Sequence, residues 1–397
     1  MKKVGLLISS LNNGGAERVV SRLSKILSSK FEIFVILFED TYMSYDYSGK
    51  LISLNVQANK SFLKIIPTIK RSLLLREIKE KYSLECVISF LDSPNVVNIL
   101  SKTIKCKTAI SIRNYSISEN KGSIISYVTN LCIKLLYNKA DFIIPVSQVI
   151  AKSMVNEYGI EQSKISVIYN PYDVNEIQEL ANEEIEDMYK PFFNEGKIFI
   201  SVGRDMYQKG YWHLVKAFKL VNDKFPESKL VLVGRDNNNG KTQQLVKELG
   251  LESKVLLIGQ HNNPFKFIKA STIYVLTSLF EGFPNAMVEA MACGCPVIAT
   301  DCKTGPREIL YENPNLDDEL TTIELADYGV LTVPFDFSED WDYKNICEEE
   351  ITLSNAMIML CNSDELLNDY SIKSIERSNT FSYNNCRNLF ERIIGLV

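Results

Sequence analysis

The sequence predicts an α/β protein built from two doubly wound domains, and three observations support this fold class. Short apolar runs alternate with helical segments along the chain, a pattern typical of parallel sheets covered by helices. Several of these runs end in glycine, which places loops at the carboxyl ends of the predicted strands. The length of 397 residues exceeds one typical core and suits two domains.

The first domain is predicted over residues 1–173. Its first strand, residues 4–8, leads through Gly14 and Gly15 into an amphipathic helix, a layout in which a backbone can approach a phosphate. A plain tight turn explains the two glycines equally well. Further strands are predicted at residues 34–38, 86–90, 108–112, 142–146 and 165–168.

Residues 174–193 are acidic and weakly patterned, and we interpret them as a linker with a short helix. The second domain is predicted over residues 194–380, and residues 317–327 within it are expected to form an exposed loop. Residues 381–397 are expected to form a final helix. The strands of the second domain are predicted at residues 198–202, 230–233, 255–258, 273–277 and 296–300.

Composition and charge narrow the classes of function. A hydrophobic content of 46% and a charged content of 23% are typical of a folded soluble protein, and no apolar run is long enough for a membrane span. Residues 1–170 carry 23 Lys+Arg against 13 Asp+Glu, whereas the remainder carries 21 against 36. The first half is therefore expected to face something anionic. The scattered cysteines favour reduced thiols, and Cys293 and Cys295 lack the spacing of a zinc site.

Residues 60–82 are both basic and apolar, with seven Lys and Arg against two Glu. One interpretation is an amphipathic helix packed on its own domain with a solvated basic face. The other is an interfacial helix that rests on an anionic membrane leaflet. Nucleic acid is the less favoured partner, because no aromatic stacking platform accompanies the charge.

The chain is organised around residues 278–310. A predicted buried strand leads into a loop with Glu281, then a helix with Glu289, then a second buried strand. In open α/β sheets, ligands bind at the carboxyl ends of strands, and a helix N-terminus offers N–H groups to an anion. An ordinary βαβ unit with two solvated glutamates is the alternative interpretation.

The complete string, from Glu281 and Glu289 through residues 296–301 to residues 305–308, resembles the signature of the retaining glycosyltransferases of family four. The resemblance implies the GT-B fold, two Rossmann-like domains facing each other across a cleft, with the final helix crossing back onto the first domain. It implies a hexosyltransferase that uses a nucleotide sugar, with UDP preferred, and retains anomeric configuration. No DxD motif is present, so neither a metal nor a cofactor is expected.

The resemblance also assigns roles to residues. The strings Val202-Gly-Arg204 and Gln208-Lys-Gly210 match the family's diphosphate loop, although a pair of solvated loop cations is the alternative. Arg204, Lys209 and Glu281 are the predicted catalytic residues: the two cations stabilise the leaving diphosphate, and Glu281 contacts a sugar hydroxyl. Glu289 is expected to bind the ribose. The other predicted donor-binding residues are Gly14, Gly15, Gly203, Gln260, His261, Gly282, Phe283, Pro284 and Asn285.

The predicted acceptor-binding residues are Asn13, Asp92, Arg113 and Asn114. Many family members carry a histidine where this chain has Arg113 and Asn114. Members with a basic first domain commonly act on lipid-linked acceptors. We therefore expect a cytoplasmic enzyme, peripheral on the inner face of the cell membrane, that moves a hexose or N-acetylhexosamine to a lipid-linked saccharide in surface-polysaccharide biosynthesis. Two alternatives stay open: another GT-B nucleotide-sugar enzyme such as an epimerase, and a catalytically silent nucleotide-sugar-binding membrane scaffold.

Overall fold

The structure is a computed structural model, and it describes residues 1–12, 14–56, 65–113 and 133–395. The chain divides into two compact units. The first unit comprises Met1–Pro171 together with Tyr383–Val397, and the second comprises Tyr172–Ser382. Among the described residues, no helix has both the length and the apolar character that crossing a membrane requires.

The first unit is built on a six-stranded parallel sheet in the order β3-β2-β1-β4-β5-β6. Its strands are β1 (Lys3–Ile8), β2 (Glu32–Leu37), β3 (Lys50–Ser53), β4 (Cys86–Phe90), β5 (Lys107–Ile112) and β6 (Phe142–Pro145). Buried Val, Ile and Leu dominate the central strands, as expected for a parallel sheet covered on both faces. The strand order reverses between β1 and β4, so the loops after these two strands diverge and leave a crevice.

Helices cover this sheet on both faces. Those that precede the second unit and have both ends among the described residues are α1 (Gly15–Leu27), α2 (Ile65–Lys81), α3 (Asp92–Leu100) and α4 (Gln148–Asn156). One face of α1 is apolar, and its Val20 and Leu23 are fully buried against the strands. Ser147 caps α4, because its hydroxyl accepts a hydrogen bond from the backbone N–H of Ile150 at 3.0 Å.

The second unit holds a seven-stranded sheet in the order β12-β13-β11-β10-β7-β8-β9. Its strands are β7 (Ile198–Val202), β8 (Lys229–Val233), β9 (Val255–Gly259), β10 (Ile273–Leu276), β11 (Val297–Thr300), β12 (Glu324–Ala326) and β13 (Gly329–Thr332). Only the pair β12–β13 is antiparallel. The strand order reverses between β7 and β10, which opens a crevice at their carboxyl ends.

The helices of the second unit surround this sheet. They are α5 (Val174–Ala181), α6 (Lys190–Phe193), α7 (Tyr211–Lys224), α8 (Lys241–Glu248), α9 (Phe265–Lys269), α10 (Asn285–Ala292), α11 (Pro306–Leu310), α12 (Glu348–Cys361) and α13 (Asp364–Thr380). The chain then returns to the first unit as α14 (Tyr383–Gly395). Phe390 and Ile394 of α14 are fully buried in the first unit's core.

The short helix expected within residues 174–193 is present as α5, but the segment forms part of the second unit and not a separate linker. The carboxylate of Asp173 caps α5 by accepting from the N–H of Glu176 at 3.1 Å. Val174 and Ile177 are buried, and α5 packs on α9 and α10. Most acidic residues of this segment are exposed, and their number makes its composition resemble that of a linker although several of its apolar residues are buried.

Three smaller expectations also differ from the structure. Residues 165–168 form a single bridge, from Ile165 to Ile143, and not a strand. The loop expected over residues 317–327 contains β12, whose pairing with β13 comes from a short antiparallel turn. Strands β3, β12 and β13 were not predicted; β3 and β12 lie at the edges of their sheets, and their partly exposed residues include polar ones in place of a continuous apolar run.

Candidate functional site

Two loops meet at the switch point of the second unit, one after β7 and one after β10. The first contains the helical turn Tyr207–Lys209, and the second contains Glu281. The ammonium of Lys209 donates to Oε1 of Glu281 at 2.7 Å, with 16% and 8% of the two side chains exposed. The structure thus brings two of the three predicted catalytic residues into direct contact.

Glycine permits this close approach at two positions. A Cβ at Gly203 would lie 2.9 Å from Cε of Lys209, so a larger residue would obstruct the lysine stem. Gly210 has a φ of +59°, and a Cβ there would lie 2.5 Å from the carbonyl oxygen of Thr277. The glycines in the motif therefore shape the path of Lys209 toward Glu281.

Three polar side chains hold Glu281, and none of them was predicted to bind the donor or the acceptor. Ser278 donates to Oε1 at 2.7 Å, and Gln208 donates to the Phe280 carbonyl oxygen at 2.8 Å and to Oε2 of Glu281 at 3.4 Å. The hydroxyl of Thr304 donates to the backbone carbonyl of Glu281. Ser278 could have been found, because it is a polar residue directly after a buried strand; Thr304 lies 23 residues away and gave no such signal.

Arg204, the third predicted catalytic residue, is exposed on the loop after β7. Within the described part of the chain it makes neither a hydrogen bond nor an ion pair, whereas Lys209 is held on several sides. The structure therefore does not join Arg204 to the pair, and its role in binding a diphosphate stays a prediction. Its guanidinium is available for an anion that enters from solvent.

Helix α10 begins directly after the Glu281 loop. Asn285 is its first residue, and its Oδ1 accepts from the Tyr172 hydroxyl at 2.6 Å. Phe283 is buried edge-on against Phe381, with ring centroids 5.5 Å apart. Glu289 is 4% exposed, so the alternative of two solvated glutamates is wrong. Gly282 and Pro284 complete the loop between Glu281 and this helix.

The predicted base-binding residues follow β9. Gln260 is exposed, whereas both ring nitrogens of His261 are engaged, Nδ1 by the Asn263 carbonyl oxygen at 3.0 Å and Nε2 by Glu186 at 3.2 Å. Lys266 also donates to Glu186, at 2.6 Å, and this bond lowers the pKa of Glu186 to about 2. The imidazole of His261 is thus bonded to Glu186, within residues 174–193. Any contact of His261 with a base would therefore come from its main chain.

The predicted acceptor residues belong to the first unit, where they follow the adjacent strands β1, β4 and β5. Gly14 and Gly15, which were predicted to bind the donor, also belong to this unit: Gly14 precedes α1 and Gly15 begins it. Asn13 and Asn114 lie outside the described residues. Asp92 accepts from the Tyr137 hydroxyl at 3.1 Å; burial and this carboxylate raise the pKa of Tyr137. Because neighbouring parallel strands end at one edge of the sheet, the described residues that directly follow β1, β4 and β5 lie at that edge.

Arg113 is buried at the end of β5. Its guanidinium donates to Oδ1 of Asn170 and lies 5.2 Å from the ring centre of Phe90. The residue thus has structural contacts within its own unit, in addition to the acceptor role that the sequence predicts. Its acceptor role stays a prediction.

The basic stretch over residues 60–82 does not present all of its charge to solvent. Arg71 is 8% exposed, donates to the Val56 carbonyl oxygen and lies 4.1 Å from the Phe38 ring centre. Lys79 is 2% exposed and donates to the carbonyl oxygens of Asn98 and Ser101 at 3.2 and 3.3 Å. Burial lowers the pKa of Lys79 to about 8. Arg71 and Lys79 are therefore not part of a solvated basic face, because they donate to backbone oxygens within their own unit.

The exposed side of α2 is instead apolar in its first half. Four side chains at helical spacing point to solvent, with exposed fractions of 68%, 61%, 51% and 59%: Ile65, Ile66, Ile69 and Leu73. We call these four residues the α2 apolar stripe. Lys70 lies beside it, and the second half of the exposed side carries both signs of charge. Lys60 and Lys64 lie outside the described residues.

One cluster in the described chain has the composition of a metal site: His213, Cys347 and Glu350, whose ligand atoms lie within 4.8 Å of one another. Both oxygens of Glu350 are already in use, one by Nδ1 of His213 at 2.7 Å and the other by the N–H of Cys347 at 3.1 Å. The Lys216 ammonium lies 3.8 Å from the same carboxylate. This cluster therefore caps α12, and its carboxylate already lies beside the ammonium group of Lys216.

Both units match known protein families. Residues 183–315 match the family described as "Glycosyl transferases group 1", and residues 13–176 match "Glycosyltransferase Family 4". An uncharacterized glycosyltransferase of Methanocaldococcus jannaschii is 33% identical, covering 89% of this chain and 91% of its own. A relative from Campylobacter jejuni is 32% identical, covering 79% of this chain and 84% of its own. Its name is N-acetylgalactosamine-N,N'-diacetylbacillosaminyl-diphospho-undecaprenol 4-alpha-N-acetylgalactosaminyltransferase.

Among solved structures, Anabaena HepE in complex with UDP and glucose superposes with a TM-score of 0.75. The alignment covers 100% of both chains at 18% sequence identity. At that identity the match concerns the fold, and it agrees with the two Rossmann-like sheets described above.

Proposed function

This chain belongs to the glycosyl transferases of group 1 and family 4 and has the GT-B fold, and from that membership we propose a specific reaction. The enzyme moves a hexose or N-acetylhexosamine from a nucleotide sugar to a lipid-linked saccharide in surface-polysaccharide biosynthesis, with retention of configuration. The observation that carries the proposal is the buried contact between Lys209 and Glu281 at the switch point of the second unit. The donor is assigned to this unit and the acceptor to the first.

The leaving diphosphate develops negative charge as the glycosidic bond breaks, and preorganised donors lower the barrier by stabilising that charge. Arg204 and Lys209 supply two cations, and the N-terminus of α10 supplies backbone N–H groups. Such a set performs the task that a metal performs in other transferases, so the proposal needs none. Glu281 positions the sugar and Glu289 holds the ribose.

Retention is proposed through transfer on the front face of the sugar, with a donor phosphate oxygen taking the proton of the acceptor hydroxyl. In this route Glu281 orients the sugar and forms no covalent bond to it. A UDP sugar is the preferred donor, and the UDP in the HepE structure supports that preference. Anomeric analysis of the product by NMR tests retention, and an inverted product would refute it.

The acceptor proposal draws on the Campylobacter jejuni relative, whose name describes a diphospho-undecaprenol-linked substrate. A polyprenyl-linked acceptor is anchored in a membrane, so the enzyme must reach the membrane surface. The α2 apolar stripe offers a means, because side chains of this kind insert at the boundary of headgroups and acyl chains. We assign acceptor contacts to Asp92 and Arg113 with Asn13 and Asn114, at the cytoplasmic face of the membrane.

A donor panel tests the reaction. The purified chain is incubated with UDP, GDP, dTDP and ADP sugars, with and without a lipid-linked saccharide, and products are identified by mass spectrometry. Acceptor-dependent transfer of one intact sugar supports the proposal. Interconversion of the nucleotide sugar without transfer would indicate an epimerase, and binding without turnover would indicate a silent scaffold.

A vesicle experiment tests the membrane contact. Ile66→Glu and Ile69→Glu should each weaken co-sedimentation with anionic vesicles, because each places a charge in the inserted face. Ile372→Glu is the matched control, since Ile372 is 62% exposed on α13, in the other unit. Equal binding by all three variants would contradict a role for the α2 apolar stripe.

A further inference from the structure

We propose that Glu281 acts as an internal substitute for the donor's diphosphate at Lys209, and that donor binding exchanges one anion for the other. The inference rests on the proposed function and concerns the regulation of that same site. Its starting point is that the lysine assigned to the diphosphate already has a carboxylate on its ammonium, at 2.7 Å.

The burial of the pair makes an occupant necessary. A cation that is 16% exposed pays a desolvation cost, and leaving it without a counter-charge would destabilise the loop. Glu281 meets this need, because its Oε1 accepts from the ammonium. Its position is itself maintained, since Ser278 donates to the same Oε1 at 2.7 Å and Gln208 approaches Oε2 at 3.4 Å.

A diphosphate at Lys209 changes the balance. Two anions a few ångströms apart repel, and the diphosphate carries more charge than one carboxylate. The ammonium therefore turns its protons toward the diphosphate, while Ser278 keeps Glu281 in the loop. The released carboxylate oxygen is then free to accept a hydrogen bond from a sugar hydroxyl.

This exchange makes the site respond to the whole donor. A free sugar brings no anion to displace Glu281 from Lys209, so its hydroxyl meets a carboxylate that is already engaged. A nucleoside diphosphate releases Glu281 and prepares the sugar half of the site. The coupling thus favours a complete nucleotide sugar over its fragments.

Calorimetric titration of the full chain with UDP, and separately with inorganic pyrophosphate, tests the exchange. Glu281→Gln removes the competing charge at constant shape, so both ligands should bind about tenfold more tightly while transfer falls. In a Lys209→Met background the same change should bring no gain, because the shared cation is gone. Glu281→Ala is a second removal in case the amide restores the contact, and thermal melting checks that each variant is folded.

Unchanged or weaker binding in Glu281→Gln and Glu281→Ala would overturn the inference, since it would mean that Glu281 aims Lys209 at the phosphate. A gain that persists without Lys209 would overturn it as well. The proposed function fails separately, if no nucleoside diphosphate binds the wild-type chain. Tighter pyrophosphate binding in Glu281→Gln would still support the exchange in that event.

Discussion

The two units of this protein use buried cations for different purposes. In the second unit, Lys209 has a carboxylate partner at the edge of the sheet where ligands bind. In the first unit, Arg71 and Lys79 are still more buried, and they donate to backbone carbonyl oxygens. The partner, more than the burial, separates the two cases: a carboxylate can be exchanged for another anion, whereas a carbonyl group that loses its donor is simply left unsatisfied.

The largest expected effect concerns the cations of the second unit. Lys209→Ala and Arg204→Ala should each lower kcat/KM by about 10²–10³-fold, roughly 2.7–4 kcal/mol, as for loss of one preorganised donor. Lys241→Ala is the matched control, because Lys241 is 52% exposed and pairs with Glu339 on the same unit. Steady-state kinetics with the identified donor measures the effect, and turnover close to wild type in both site variants would break the comparison.

The next effect belongs to the first unit and appears in stability, not in turnover. Burial lowers the pKa of Lys79 from 10.5 to about 8, so between these values the unfolded chain holds more protons on this lysine. Stability relative to Lys79→Met should therefore rise with pH across that window, by about 3 kcal/mol. Urea unfolding at pH 7, 9 and 10.5 measures the difference, and parallel pH profiles for the two proteins would contradict it.

A smaller effect separates the two glutamates of the second unit. Glu289→Gln should weaken UDP binding about tenfold, because a charged acceptor for the ribose hydroxyls becomes neutral. Glu281→Gln should act in the opposite direction for the reason given above. Calorimetry on both variants compares them directly, and a shift of the same sign in both would show that the division of roles is incorrect.

The last comparison, for which no change in vesicle binding is expected, sharpens the account of α2. Arg71→Leu removes the donor to the Val56 carbonyl oxygen and should lower stability by about 1–3 kcal/mol. Vesicle binding of the folded variant should stay at the wild-type level, because this side chain is buried. A marked loss of vesicle binding, with the stripe residues intact, would indicate that the basic charge of α2 takes part in membrane contact.

Much of the second unit could be predicted from its sequence because its signals are local. Strands β7 and β10 are apolar runs that end in motif residues, and the motif itself resembles a known signature. The supports of Glu281 were harder to foresee. Thr304 reaches the loop from beyond a strand and a helix, and Gln208 depends on the path of a neighbouring loop. Such contacts follow from tertiary packing and leave no periodic trace.

In the first unit, the sequence was less informative about α2. It shows how many Lys and Arg residues lie in residues 60–82, but charge alone does not say which side of a helix faces the core. Arg71 and Lys79 lie eight residues apart on the buried side of α2, and their partners come from the loop after β3 and the end of α3. The pattern of the four stripe residues was readable, because their spacing follows the helical period.

The return of α14 to the first unit sets an order for synthesis on the ribosome. Although most of the first unit precedes the second in the sequence, its core includes Phe390 and Ile394, which follow the whole of the second unit. The second unit, complete at Ser382, has all of its own chain earlier. The nascent first unit therefore lacks the helix that packs on α1 while the second unit is translated, and during that interval the exposed apolar side of α1 favours aggregation.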